Sequence, residues 1–395
     1  MEEWKTYKLG DVCKIYGRIG FRGYTIEDLV EDSEKGAVSL SPTNIQGGVL
    51  DLSKPTYISW EKYHESPEIM IHENDIVIVK TGSSIGRTAI IRNISHPMTL
   101  NPQLVVLKDV SINKHFLGYL VKGKDFQGKL SSIVVGSAIP TLSQKNLANL
   151  TIAVPPTRVQ EKIANILSAL DSKIELNNRI NHNLEEQAQA LFDNYFIHNT
   201  IDLGDTKTVF LTDIATYLNG LAMQKFPAKD KGLPVLKIKE LGQGYCDNSS
   251  DRCSSDILEK YIINDGDCIF SWSGTLLVDL WCGGQCGLNQ HLFKVSSDNY
   301  PKWFYYLWTK HHLDTFIHIA KDKAVTMGHI KRSELEKAIV IMPSKEKLDN
   351  LSKLFEPIIN QIIQLRIMNR TLAQQRDELL PKLMSGELKI NEIDC

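Results

Sequence analysis

The sequence contains no run of eighteen apolar residues, and Met1-Glu2-Glu3-Trp4-Lys5 has neither the basic n-region nor the apolar stretch of a signal peptide. Neither membrane spanning nor secretion is expected, and a cytoplasmic setting is. Cysteine is scarce and odd in number: Cys13, Cys246, Cys253, Cys268, Cys282, Cys286 and Cys395 are spread unevenly over 395 residues. Such a set suits reduced thiols better than a disulfide framework. Cys246, Cys253, Cys282 and Cys286 fall in one stretch, but their spacings depart from the CxxC knuckles of zinc sites. Buried free thiols are expected there, with zinc as the alternative.

Cofactor and catalytic motifs are missing as well. Gly82-Ser83-Ser84-Ile85-Gly86-Arg87-Thr88 has three residues between its glycines where a phosphate loop needs four, and Arg where Lys should reach the phosphates. Asn101-Pro102-Gln103 and Val154-Pro155-Pro156-Thr157 each lack part of the Asp/Asn-Pro-Pro-aromatic element that grips a flipped base in amino-methyltransferases. Leu241-Gly242-Gln243-Gly244 reads as a turn. Histidine-carboxylate clusters and serine elbows do not occur. The chain is therefore expected to be non-catalytic and to bind no cofactor itself, which makes a self-sufficient nuclease or methyltransferase a poor reading.

What is present is an ordinary globular composition, 42% hydrophobic and 23% charged, in a chain long enough for two or three domains. The formal charge of -2 hides two opposed fields. Gly23 to Asp75 holds eleven acidic residues against three lysines, net -8, whereas Ile76 to Lys145 holds nine Lys/Arg against Asp109 and Asp125, net +7. The second of these spans has the charge to face phosphate. The matching stretch of the other half, Cys268 to Leu335, is weaker, with seven Lys/Arg against five acids.

Sliding the sequence against itself reveals an internal repeat. Leu9-Gly10-Asp11-Val12 recurs as Leu211-Thr212-Asp213-Ile214, and Asn74-Asp75-Ile76-Val77-Ile78-Val79-Lys80-Thr81-Gly82 as Gly266-Asp267-Cys268-Ile269-Phe270-Ser271-Trp272-Ser273-Gly274. From Asn101/Asn289 onward the offset holds at 188, through Leu104/Leu292, Leu147/Leu335, Pro155/Pro343, Asn181/Asn369 and Leu191/Leu379. Each copy opens with short β-type runs (Asp75 to Val79, Thr99 to Leu107; Asp267 to Phe270, His291 to Val295) among turn residues, which predicts an α+β domain. Each copy then turns helical after Pro155-Pro156 or Pro343.

In the helical parts a heptad spacing is sustained. Ile163, Leu170, Asn177, Leu184 and Leu191 form one row, and Leu351, Ile358, Leu365, Leu372 and Leu379 its counterpart. Ile166 and Ile180, with Leu354 and Met368, three residues after row members, predict the second row, diluted by Lys173, Gln187, Gln361 and Gln375. Asn177 reads as a register-setting polar seam residue. Pro357 predicts a kink in the second helix or its start. Two such helices would pair with each other.

Several stretches together resemble the specificity subunit of Type I restriction-modification systems: Trp4-Lys5 followed by Leu9-Gly10-Asp11-Val12, the Asp75-Ile76-Val77-Ile78 run into Gly82-Ser83-Ser84-Ile85-Gly86, the Gln160-Glu161-Lys162-Ile163-Ala164 helix with Leu170-Asp171, and Leu379-Leu380-Pro381-Lys382-Leu383-Met384-Ser385-Gly386-Glu387-Leu388. The first helix departs from the pattern, ending Leu191-Phe192-Asp193-Asn194, and the second copy has Ser271-Trp272-Ser273-Gly274-Thr275 in place of the glycine-rich turn. The resemblance implies an α+β protein with two similar globular target-recognition domains separated by two long antiparallel coiled-coil helices, an internal duplication with pseudo-twofold relation. In these terms residues 1–156 are the first DNA target-recognition domain, 157–200 the central helix, 201–344 the second recognition domain, and 345–395 the distal helix with the C-terminal tail. It implies a bipartite, asymmetric DNA site, two methyltransferase subunits docked on the helices, and restriction/translocase subunits in the assembled complex. S-adenosylmethionine and ATP/Mg belong to those partners. The alternative is a coiled-coil adaptor with no DNA affinity.

Candidate DNA contacts follow from charge and turn position. Lys80, Ser83, Ser84 and Arg87 flank a turn at the end of a β-run, where cations and backbone amides meet phosphate or a guanine edge. Asn44 and Gln46 suit adenine, or else cap a loop. Lys122, Lys124 and Lys129 form a basic stretch suited to nonspecific affinity. In the second domain the candidates are Lys237, Lys239, Trp272, Lys321, Lys323 and His329, with core packing as the competing fate of Trp272. A helix from about Arg158 to Phe196, at about 1.5 Å per residue, is roughly 58 Å long and would hold half-site readers about one duplex turn apart. A nonspecific spacer of roughly five to eight base pairs follows.

Overall fold

The computed structural model describes residues 4–20, 23–46, 48–92, 94–136, 140–198, 203–322 and 329–388. The chain divides into two compact units, one of Met1–Ser172 with Gln374–Cys395, the other Lys173–Ala373. Each unit thus takes a share of both long helical segments.

In the first unit, the apolar run Ile76–Val79 lies inside a four-stranded antiparallel sheet, in the order Lys14–Tyr16, Leu104–Lys108, Ile76–Val79, Thr88–Ile90. A strand unbroken by polar residues must bury both faces. Ile76 and Ile78 enter one core with Val105, Leu107, Phe116 and Leu117, while Val77 and Val79 enter a second with Leu104, Val106 and Leu100. That second core lies under a further sheet in which Met98–Leu100 runs parallel to Gly36–Leu40. The sequence run from Thr99 to Leu107 is therefore two strands in two sheets. Asn101 makes the break, its side-chain oxygen accepting the Gln103 N–H at 2.8 Å in a local turn.

The second unit repeats this plan. Its antiparallel sheet runs Thr216–Asn219, Leu292–Ser296, Cys268–Ser271, Leu277–Leu280, and Leu233–Leu236 pairs parallel with Cys286–Leu288. The repeated Leu-x-Asp tetrapeptides are one-turn helices with the same cap: Asp11 accepts the Lys8 N–H at 2.9 Å, and Asp213 accepts the Phe210 N–H at 2.8 Å.

The long helices are Thr157–Phe192, continued by a π-turn at Asp193–Ile197, and Lys345–Ser385. Pro357 neither starts nor ends the second. Its missing N–H costs about 3 kcal/mol in a helix interior. The flanking Phe355, Ile359 and Ile362 bury against that cost, Phe355 stacking on Trp303 with centroids 4.3 Å apart. The second seam row also needs correction. Ile180, Leu354 and Met368 are exposed, and the buried partners of the first row stand four residues on, not three: Leu167, Asn181 and Ala188, with Phe355, Ile362 and Leu383 on the other helix. Lys173, Gln187, Gln361 and Gln375 accordingly point to solvent.

Within each unit the helices run antiparallel. In the first, Asp171 meets Arg376, and Ile163 and Leu167 share a core with Leu383. In the second, the fully buried Asn177 donates to Asn369 Oδ1 at 2.8 Å, while Glu185 pairs with Arg366 at 2.8 Å.

Candidate nucleic-acid interface

Between the strands Ile76–Val79 and Thr88–Ile90 the chain makes a turn through two glycines at positive φ, Gly82 (99°) and Gly86 (86°). Gly86 donates to Val79 O at 2.9 Å, Arg87 N–H to Ser84 O at 3.1 Å, and Gly82 N–H to Pro140 O at 3.0 Å. Gln127, on the helix Lys124–Ser132, donates to Gly86 O at 3.1 Å, and a Cβ at Gly86 would stand 2.7 Å from its Oε1. The turn is thus fixed on both sides, and only glycine fits the second corner.

This anchored turn presents Ser83 and Arg87 to solvent, with Lys80 and Ser84 half-buried beside them. Burial lowers the Lys80 ammonium from its ordinary pKa. Neither Lys80 nor Arg87 has a carboxylate partner among the described residues. A partly desolvated cation without a counter-ion gains from an arriving anion, so this corner suits a phosphate or a guanine edge.

The other candidates of this unit sort by environment. Asn44 is committed to its loop: Oδ1 accepts from the Ser41 N–H and hydroxyl, both at 2.9 Å, and Nδ2 donates to Asp51 O at 3.0 Å. Buried with its hydrogen bonds made, it is a cap and not a base reader. The Gln46 side chain lies outside the described residues. The basic stretch splits. Lys122 donates to Gly48 O at 3.0 Å beside the Tyr119 ring, and burial pulls its pKa down to about 8, so it is interior rather than surface charge. Lys129 pairs with Asp125 at 2.7 Å, and Lys124 is exposed.

In the second unit, Lys237 is ion-paired with Asp251, and Lys239 binds Ser249 Oγ at 2.9 Å and faces Asp247 at 3.5 Å. Both line a cleft of about 670 Å³ with Arg252, Asn289, Gln290 and His291. Trp272 is not wholly given to core packing. It is half-buried against Phe293, its indole N–H donates to Asn219 at 3.0 Å, and the rings of His291 and His329 lie 6.1 and 6.4 Å away. Lys321 is exposed, and Lys323 lies outside the described residues. Sequence reading passed over Gln103, Gln290 and His291. The offset of 188 that pairs Asn101 with Asn289 was the available signal, since it also pairs Gln103 with His291.

Among the described residues no three His, Cys, Asp or Glu side chains gather as a metal site. Cys253, Cys282 and Cys286 are buried free thiols.

The family model for the Type I restriction modification DNA specificity domain matches residues 1–186 and again 204–370. The chain belongs to this family. The two matches coincide with the two repeat copies, each ending within a long helix. The role of the specificity family, DNA sequence recognition within a Type I restriction-modification system, is therefore the role of this chain. Among its relatives, the specificity subunit of the Type I restriction enzyme MjaIX of Methanocaldococcus jannaschii is 25% identical over 422 residues, which span 99% of this chain and 95% of that one. That of the HindI enzyme of Haemophilus influenzae is 25% identical over 205 residues, 50% of this chain and 41% of that one. The S subunit of a Type I restriction-modification system from M. genitalium has the same fold, with a TM-score of 0.55 over 96% of each chain at 15% identity.

Proposed function

We propose that each unit reads one half of a split, asymmetric duplex site, and that the chain lends this reading to subunits that do the chemistry. The observation that carries the proposal is duplication with divergence. The order of the antiparallel sheet and the capped Leu-x-Asp turn recur in both units, yet the corner after the central strand carries Lys80-Thr81-Gly82 in one and Trp272-Ser273-Gly274 in the other. Like scaffolds with unlike surfaces suit two unlike half-sites.

In this reading the long helices dock two methyltransferase subunits, and restriction/translocase subunits join through the assembled complex. S-adenosylmethionine, ATP and Mg act on those partners. The chain itself neither methylates nor cleaves, and it works in the cytoplasm, where the genome is. Titrating the purified chain with duplex at increasing salt tests the proposal against a coiled-coil adaptor. Steep salt dependence from phosphate neutralisation, with one sequence preferred over others, is expected. No duplex affinity would leave the adaptor, and methyl transfer by the chain without a partner would refute the division of labour.

A further inference from the structure

The corner after the central strand is built on the same backbone frame in both units. The Lys80 N–H donates to Gln103 O at 2.8 Å, and the Trp272 N–H donates to His291 O at 3.4 Å. Lys80 O accepts from Leu142 N–H at 2.8 Å, and Trp272 O from Ile330 N–H at 3.1 Å. Thr81 bridges to Thr141 where Ser273 bridges to His329. Asn101 and Asn289 fold the neighbouring turn alike, accepting the N–H of Gln103 at 2.8 Å and of His291 at 3.3 Å. Their own N–H groups reach the parallel strand at Leu40 O (2.8 Å) and Leu236 O (3.2 Å).

Three side-chain positions are therefore superposable by hydrogen-bond partner: Lys80 with Trp272, Gln103 with His291, and Thr141 with His329. A frame held by the same bonds keeps the backbone fixed while leaving these side chains to vary. Packing does not require the differences, because Gln103, His291, Thr141 and His329 are exposed and Lys80 and Trp272 only half-buried. The chemistry differs in kind. Lys80 and Gln103 offer hydrogen bonds to base edges: the Gln103 amide, whose Oε1 accepts from Asn101 Nδ2 at 3.3 Å and keeps a second lone pair, matches adenine N6 and N7, and an ammonium matches guanine O6 and N7. Trp272, with its indole N–H already given to Asn219, offers an apolar face suited to a thymine methyl, flanked by two imidazoles.

We infer that Lys80 with Gln103, and Trp272 with His291, occupy one equivalent base-reading position in the two units, and that this position makes the half-sites unlike. The inference rests on the proposed function and goes beyond it by naming the specificity-determining residues. The test uses the full chain assembled with its methyltransferase partner on duplexes carrying every single base-pair change in each half-site. Gln103→Ala is expected to lower discrimination at one or two adjacent base pairs of one half-site by about tenfold to a hundredfold, leaving the other half-site unchanged. His291→Ala should do the same in the other half-site only. The exchange Lys80→Trp with Gln103→His should change the preferred base there, and Gln103→Ala covers the case in which that bulkier pair fails to fold. Weakening that is uniform over all base pairs, or discrimination lost in both half-sites from one substitution, would overturn the inference. Absence of base preference in the unaltered complex would instead refute the proposed function.

Discussion

Asp171 holds the end of the second long helix to the first unit, and removing its carboxylate is the most informative stability experiment. Its Oδ2 accepts from Tyr119 Oη at 2.7 Å, its Oδ1 accepts from Arg376 Nη1 at 2.9 Å, and Arg92 Nη2 stands 3.5 Å away. Side-chain exposure is 13% for Asp171 and 23% for Arg376, so water screens this pair only in part. Burial pushes the carboxyl upward, but the bonds from Tyr119 and Arg376, with the Lys122 charge, outweigh it and leave the pKa below its ordinary value. In Asp171→Ala, Arg92, Lys122 and Arg376 would share a half-buried site whose remaining anion is the more exposed Asp377, already accepting from Arg376 Nε at 2.9 Å and Nη2 at 2.7 Å. Breaking a buried pair costs about 3–5 kcal/mol, and the residual exposure of Arg376 together with the Asp377 pair it keeps argues for the lower end, about 3. For a unit of this size class that is a drop of about 6–12 °C in Tm. Arg376→Met in the same background should recover part of it, because the guanidinium that has lost its buried partner then goes too. Since the folded carboxyl is the stronger acid, its contribution is present above about pH 4 and fades as pH falls through the folded pKa, so parent and variant should converge in acid. Thermal melts followed by circular dichroism between about pH 1.5 and 7 read both effects. A loss under about 1 kcal/mol at pH 7, or a gap that persists in acid, would refute the reasoning.

Three further outcomes are expected. Lys80→Met with Arg87→Ala should flatten the dependence of log affinity on log salt by about 1.8 if both cations neutralise phosphate, and an unchanged slope in duplex titrations would place them elsewhere. Lys122, held near pKa 8 against an ordinary 10.5, opposes folding below that value, so stability should rise with pH between about 8 and 10.5; Lys122→Met should melt higher at pH 7 and lose that rise, and a lower melt would contradict it. Asn177→Leu with Asn369→Leu should raise Tm, since the buried Asn177 Oδ1 has no partner among the described residues, and a lower Tm would show that the pair stabilises rather than sets register.

Much of the architecture was legible because duplication and periodicity act over many residues. The Leu-x-Asp repeat marked two equivalent caps, and the run Ile76–Val79 marked a strand buried on both faces. The first heptad row was legible too. The second was not, because Ile180, Leu354 and Met368 are apolar and mimic a seam although exposed, while the true row contains Asn181 and Ala188. Pro357 as a helix start misled for a related reason: helix propensity is local, and Phe355 on Trp303 is a tertiary contact. At the site, sequence separated cations from anions but not free cations from spent ones. Lys122 and Lys129 look like Lys124 in a charge count, yet one is interior and one ion-paired. Asn44 read equally as adenine reader or cap until its three hydrogen bonds decided it.

The central claim is that two unlike readers on one chain specify one split site. Mapping every methylated base in the genome of cells that express the chain with its methyltransferase partner tests it most directly. Two short specified segments, unlike each other and separated by unspecified base pairs, are the expected result. A continuous site, or two segments that are palindromic partners, would contradict it.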